Sequence, residues 1–223
     1  MLQLLKRNLE QWWLLTDVEW KMIFDKAQFL KVKKHHFLQT AHAGPLYECF
    51  VLKGGFKTYI LTENGEEHIL FFPFANEWVC DIEAFYYNKP ARFNIRAVED
   101  SEVAVISLNE KNELFKKIPK LQQFHIRMIE KSNLALQERL IDMLHKTARE
   151  RYADFLNRYP QKQRKISDKD LSSYLGVTKE FLCKIKKEYS RKGFDIKQKS
   201  PKTPGKLYCA ISGIFLFINT LYT

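Results

Sequence analysis

Apolar residues recur at helical intervals over the first 28 positions: Leu5, Leu9, Trp12 and Trp13, then Val18, Met22 and Ile23. Thr16 and Asp17 interrupt this series and can cap a second helix, so two small helices are predicted before about Gln28. From Phe29 to about Ser107 the pattern changes. Short β-branched and aromatic runs follow one another between turn residues: Phe37-Leu38, Tyr47 to Leu52, Phe56 to Leu61, His68 to Phe72, Trp78 to Ile82, Phe93 to Val98 and Val103 to Ile106. Gly54-Gly55 links two of these runs. Glu63-Asn64-Gly65 links the next pair, where Asn64-Gly65 predicts a type I′ hairpin. The segment therefore predicts a closed or nearly closed all-β unit, a sandwich or barrel.

After Leu108 the period becomes helical. Pro119 suits the first turn of a long helix reaching about Lys146. Two apolar seams run along it, one through Ile129, Leu136, Leu140 and Met143, the other through Leu134, Ile141, Leu144 and Ala148. They begin on opposite sides, because residues 134 and 136 differ by about 200° around a helix. One seam is expected to pack on the chain's own domain and the other on a second copy of the helix, giving a homodimer through residues 119–146. A central helix buried on both sides of a monomer is the other arrangement the pattern allows.

Charge divides the chain unevenly. The net charge is +11, yet residues 1–145 carry equal numbers of basic and acidic side chains, so the whole excess lies in the last third. A neutral body with a concentrated basic end points to a polyanion, nucleic acid first. Within that end, Lys165 to Lys187 reads KISDKDLSSYLGVTKEFLCKIKK. Ser167 and Asp170 form a capping-box start, Leu171 and Leu175 share a face, and Gly176 can end the helix in a left-handed conformation. Thr178 can cap a second helix with Leu182 and Ile185 inward and Lys179, Glu180, Cys183 and Lys184 outward. This is a helix-turn-helix whose second helix suits a major groove. Lysine can donate to guanine and glutamate can accept from cytosine. Arg164, Lys165, Lys186, Lys187, Arg191 and Lys192 are expected on phosphates.

A β domain, a long helix and a terminal helix-turn-helix, in this order and length, resemble the Crp/Fnr family of bacterial transcription regulators. EDSEVAVISLNE (Glu99–Glu110) resembles the end of that family's cyclic-nucleotide-binding-like β roll, and LGVTKEFLCKIKK its recognition helix. RERYADFLNRYP (Arg149–Pro160) resembles the branch common in Bacteroidetes. The resemblance spans roughly residues 10–190. It implies an α+β chain: an N-terminal β roll (double-stranded β-helix) sensor over 1–110, a connecting and dimerisation helix over 111–148, and a DNA-binding helix-turn-helix over 149–192. A wing and an atypical apolar tail are expected over 193–223. By position Lys179, Glu180 and Lys184 match the family's base readers. Lysines stand where its best-known members have arginines, which weakens bidentate guanine contacts.

Family members that bind cyclic AMP hold it with a Gly-Glu pair and a downstream Arg-Ser pair. Cys80-Asp81 and Ala91-Arg92 stand there in this chain, with Arg96 nearby. Asp81 could accept from a ribose hydroxyl, but Ala91 leaves the phosphate without its guanidinium, so cyclic AMP is not expected in the usual mode. An unknown small-molecule effector, or none, is the remaining expectation for the pocket of Cys80, Asp81, Arg92 and Arg96. The cysteine cluster of the family's oxygen-responsive branch is absent. Cys49, Cys80, Cys183 and Cys209 stand far apart without metal-ligand spacing, and His35, His36, His42 and His68 form no H-x-H pair, so no metal site and no catalytic residue are expected.

The chain thus reads as a non-enzymatic, dimeric, sequence-specific DNA-binding regulator on palindromic sites, contacting double-stranded DNA through Thr178, Lys179, Glu180, Cys183, Lys184, Lys187, Arg164 and Lys165. RNA polymerase is a further expected partner. Without a signal-peptide pattern, a cytoplasmic location away from membrane is expected, with free thiols. Two other readings stay open on the residues: a ligand-binding module docking an acidic protein, and a cupin-like metal enzyme. For the tail, Phe194 to Lys197 and Leu207 to Ile211 could form the wing. Ser212 to Thr223 could be a docked strand, an aggregation-prone or disordered extension, or the product of a reading-frame change.

Overall fold

A computed structural model describes residues 2–43 and 47–191. The chain divides into a compact unit through Ile185 and another from Lys186 onward. The wing and tail expected beyond residue 192 lie outside the described residues, as do Lys192 and Cys209.

Two short helices come first, α1 (Leu2–Leu9) and α2 (Asp17–Lys26). Thr16 caps α2 in a reciprocal capping box: its side chain accepts from the Glu19 N–H and the Glu19 carboxylate accepts from the Thr16 N–H. Eight strands follow, β1 (Gln28–Val32), β2 (Phe37–Gln39), β3 (Glu48–Lys53), β4 (Phe56–Leu61), β5 (Glu67–Phe71), β6 (Trp78–Val79), β7 (Asn94–Ala97) and β8 (Ser101–Ile106), with helix α3 (Ile82–Tyr87) between β6 and β7. They make two four-stranded antiparallel sheets, in the orders β1-β8-β3-β6 and β2-β7-β4-β5.

The roll interior takes Val51, Val79, Val103 and Val105 from the first sheet and Phe56, Ile95 and Ala97 from the second. The opposite face of the first sheet is also covered. Phe50, Leu52 and Ala104 pack there against Leu5, Leu9, Ile23, Leu114, Leu121 and Phe124 of the surrounding helices. Burial on both faces explains why β3 reads as a continuous apolar run rather than an alternating one.

Two expectations need correction. The β4–β5 connection is not a type I′ turn. Gly65 alone of the Asn64-Gly65 pair has positive φ (77°), with its N–H donating to the Thr62 carbonyl and the Thr62 N–H to the Glu66 carbonyl. This is the three-residue loop that ends on a left-handed glycine. The run Trp78 to Ile82 is strand only to Val79, because the buried Asp81 side chain caps α3 by accepting from the Ala84 N–H. His35 and His36 lie in the turn before β2, His35 at φ 68°.

Beyond the roll run α4 (Leu108–Lys117), α5 (Pro119–His145), α6 (Ala148–Arg158), α7 (Asp168–Leu175) and α8 (Lys179–Arg191). Pro119 opens α5 as expected. The seams differ from expectation: the chain's own core takes Leu121, Phe124 and Met128, one to two turns earlier. Ile129, Leu134, Leu136, Leu140, Ile141, Met143 and Leu144 are all exposed, with Leu144 at 80%. Both seams stand clear of the chain's own roll.

Candidate nucleic-acid interface and effector pocket

Helix α7 begins at Ser167, whose hydroxyl accepts the Asp170 N–H at 3.1 Å. It stops at Gly176, at φ 66°, where the Val177 N–H reaches back to the Ser172 carbonyl (3.0 Å) and the Gly176 N–H to that of Ser173 (3.1 Å). Only glycine meets that backbone without strain. Thr178 then caps α8 through its hydroxyl, which accepts the Phe181 N–H at 3.2 Å. Leu171, Leu175, Leu182 and Ile185 are buried, the last two completely.

Burying Leu182 and Ile185 fixes the rotation of α8. Thr178, Lys179, Glu180 and Lys184 are exposed, and Cys183 is half-buried. The Glu180 carboxyl sits below its usual range because its own backbone N–H and the Thr178 hydroxyl donate to it, so it remains an ionised acceptor. Lys187 is exposed on a later turn of α8. Arg164 is exposed in the short 3₁₀ turn Gln163–Lys165. Lys165 points elsewhere: its ammonium pairs with Glu99 of the roll at 2.6 Å.

That pair belongs to a larger contact which the sequence reading missed. Strand β5 is the edge of its sheet, so its outward N–H and C=O groups have no ladder partner. Helix α7 supplies one. The Ser173 hydroxyl accepts the Ile69 N–H (3.0 Å) and donates to the Glu67 carbonyl (2.7 Å). Arg139 of α5 stacks on Tyr174 at 4.2 Å and donates to the Leu70 and Tyr174 carbonyls. Lys57 of β4 lies in the seam between roll and helix, paired with Glu67 and, at 2.7 Å, with Asp170. Lys162 adds a 2.7 Å pair to Glu77. These partners stand up to 113 positions apart in the chain, which no local pattern encodes.

The four candidate pocket residues do not converge. Asp81 is 1% exposed, and its carboxylate accepts the Arg92 N–H at 2.7 Å and the Ala84 N–H at 3.4 Å. The Arg92 guanidinium is turned outward to Glu83 at 2.8 Å. Arg96 pairs with Glu67 at 2.6 Å and stacks near Phe37 and Tyr59, on the face of β7 opposite the buried Ile95 and Ala97. Arg92 precedes β7, which begins at Asn94, so it shares no strand face with Arg96. Burial raises the Cys80 thiol well above its usual value, which keeps it protonated. A cyclic nucleotide phosphate does not fit this set: Ala91 is buried where its guanidinium partner would stand, and the Asp81 carboxylate already occupies the nearby amides. Two buried polar atoms on the adjacent strands β4 and β7, Thr58 Oγ1 and Asn94 Nδ2, have no hydrogen-bond partner. Both are uncharged.

His35 and His36 share one turn while His42 and His68 lie in other segments, and no three His, Cys, Asp or Glu residues gather into a metal-binding group among the described residues. Among those same residues, no helix is long and apolar enough to cross a membrane.

The chain is thus a β roll joined through a long helix to a helix-turn-helix. Residues 29–117 match the cyclic nucleotide-binding domain family. The chain is 29% identical over 161 residues to Electron transport regulator A of Shewanella oneidensis, covering 67% of this chain and 64% of that protein. It is 30% identical over 146 residues to the fumarate and nitrate reduction regulatory protein of Vibrio cholerae, covering 60% and 58%. The chain spans about three fifths of the length of these curated relatives. The fold is similar to that of FixK2 from Bradyrhizobium japonicum, with a TM-score of 0.65, 18% identity, and 75% of this chain and 86% of that one covered. The chain is similar to Crp/Fnr-type regulators and carries a cyclic nucleotide-binding domain match over residues 29–117.

Proposed function

We propose that this chain is a sequence-specific DNA-binding transcription regulator acting as a homodimer in the cytoplasm, without catalysis. The observation that carries the reading is the rotation of α8: the complete burial of Leu182 and Ile185 leaves Lys179, Glu180 and Lys184 exposed together at its start. In this reading those three residues, with Thr178 and Cys183, read base edges, while Arg164, Lys165 and Lys187 contact phosphates. Lys165 would first leave Glu99, which ties DNA engagement to release from the roll.

The exposed seams of α5 support dimerisation through residues 119–146. A surface helix carrying Leu136, Leu140, Met143 and Leu144 in water is a poor end state, and a second copy offers the same faces by two-fold symmetry. Two recognition helices would then enter successive major grooves about 34 Å apart on a palindromic site. RNA polymerase is the further partner expected of this class.

The roll is read as a sensor for an uncharged or weakly polar effector rather than cyclic AMP, a reading supported by the unpartnered Thr58 hydroxyl and the unmatched phosphate position. Selection of binding sites from random duplex DNA, repeated with Lys179→Ala and Lys184→Ala, tests the whole proposal. A palindromic consensus that relaxes in both variants is the expected result. Salt-dependent binding without any sequence preference would instead favour docking of an acidic protein.

A further inference from the structure

We infer that the roll itself carries a second nucleic-acid contact, a lysine patch that grips the phosphate backbone of the duplex beyond the half-site read by α8, an inference that rests on the DNA reading proposed above. The patch starts in the run Lys31-Val32-Lys33-Lys34-His35-His36. Val32 is buried in the roll interior and anchors the run, while its five neighbours are all exposed.

Sheet register brings further charge to the same place. Lys31 of β1 and Lys53 of β3, both exposed, flank Glu102 of β8 in one cross-strand row. Just before β8, the Asp100 carboxylate accepts the Lys34 N–H at 2.9 Å and pairs with the Lys33 ammonium at 3.0 Å. Lys31, Lys33, Lys34 and Lys53 thus surround only Asp100 and Glu102. Residues 1–145 are neutral as a whole, so this local excess comes from placement and not from composition. The Lys33–Asp100 pair is open to water, at 76% and 63% side-chain exposure, so it is weak and its lysine can exchange the carboxylate for a phosphate.

The position of the patch selects the partner. Glu99, the chain neighbour of Asp100, holds the Lys165 ammonium at 2.6 Å, and Arg164 is exposed in the same short turn. The patch therefore borders the turn whose cations are read as phosphate contacts. Duplex DNA carries one charge per about 1.7 Å of axis, so a duplex held at that turn offers further phosphates to neighbouring cations. Lysine, a point charge on a flexible stem, suits such sequence-independent contact.

Fluorescence anisotropy over a salt series, with the full chain and the selected consensus on duplexes of about 20 and about 40 base pairs, tests the assignment. Lengthening the duplex should strengthen binding by the parent about tenfold and steepen the slope of log affinity against log salt by about 2 or more. The combined variant Lys33→Ala, Lys34→Ala and Lys53→Ala should bind the short duplex as the parent does and lose this gain. Lys21→Ala, Lys116→Ala and Lys117→Ala together remove the same charge from α2 and α4 and should keep it. No gain in the parent, as expected if the patch docks an acidic protein, would overturn the proposal. So would a gain retained by the patch variant or lost equally in the control. Normal binding of the short duplex without the gain sinks the patch alone, whereas failure to bind either duplex sinks the DNA reading and the patch together.

Discussion

Lys57, on a central strand of the roll, and Asp170, in the first turn of the helix-turn-helix, form a 2.7 Å ion pair although 113 residues separate them. Their side chains are only 7% and 13% exposed. Lys57 also pairs with Glu67, which in turn holds Arg96. The β4–β5 hairpin and α7 are thereby joined through charge as well as through Ser173. The β4–β5 hairpin thus packs directly on α7, the helix that precedes α8.

Removing one partner of a buried pair leaves the other charge without compensation. Lys57→Met should therefore destabilise the chain by about 3–5 kcal/mol, since both Glu67 and Asp170 lose their ammonium. Asp170→Asn should cost less, because Lys57 keeps Glu67. Urea denaturation of both single variants and the double variant should yield a coupling energy of about 0.5–3 kcal/mol. Additive effects would mean that the two residues do not interact in solution.

Base contacts and phosphate contacts leave different signatures on DNA. Lys179→Ala and Lys184→Ala should each lower discrimination at particular base pairs by about 1 kcal/mol or more. Arg164→Ala should weaken all duplexes alike and reduce the slope of log affinity against log salt by about 1. Fluorescence anisotropy with consensus and scrambled duplexes over a salt series separates the two behaviours.

The exposed face of α5 makes a second test. Leu136→Asp with Leu140→Asp places charge in the centre of the proposed helix pair, at two positions each 59% exposed in the single chain. Sedimentation should show the parent as a dimer and the variant as a monomer with unchanged circular dichroism. Loss of palindrome binding should accompany the monomer.

His125 predicts a pH dependence of stability. Folded, its ring is held down to about 4 by burial and by Lys111, against an ordinary value of 6.5. The unfolded chain therefore binds the proton first as pH falls. The contribution is full above pH 6.5 and is lost progressively toward pH 4, on the order of 3 kcal/mol in all. Thermal melts of parent and His125→Gln across this range should diverge in slope, and parallel curves would contradict the assignment.

The reach of local pattern is clear in particular elements. The cap at Thr16, the proline at the head of α5, the stop at Gly176 and the inward pair Leu182 and Ile185 could all be read before any coordinates, because each is decided within one helical turn. The β character of residues 29–107 was equally legible from its run lengths. Helix α3 was not, since the signal that starts it is the single side chain of Asp81 accepting from Ala84. The turn at Asn64-Gly65 was misread because two loop lengths share that dipeptide, and only the pairing of Thr62 with Glu66 selects between them.

What tertiary structure alone decided is where side chains of ambiguous role were spent. Arg96 and Lys165 look like free cations in the chain and are instead committed to Glu67 and Glu99. Lys111 and His125 look like surface residues of amphipathic helices and are instead buried around Glu48. Helical period and capping depend on neighbours within about four residues, so sequence carries them. Ion pairing and burial depend on which distant strands and helices share a face, and that is settled only when the sheets close and the helices dock.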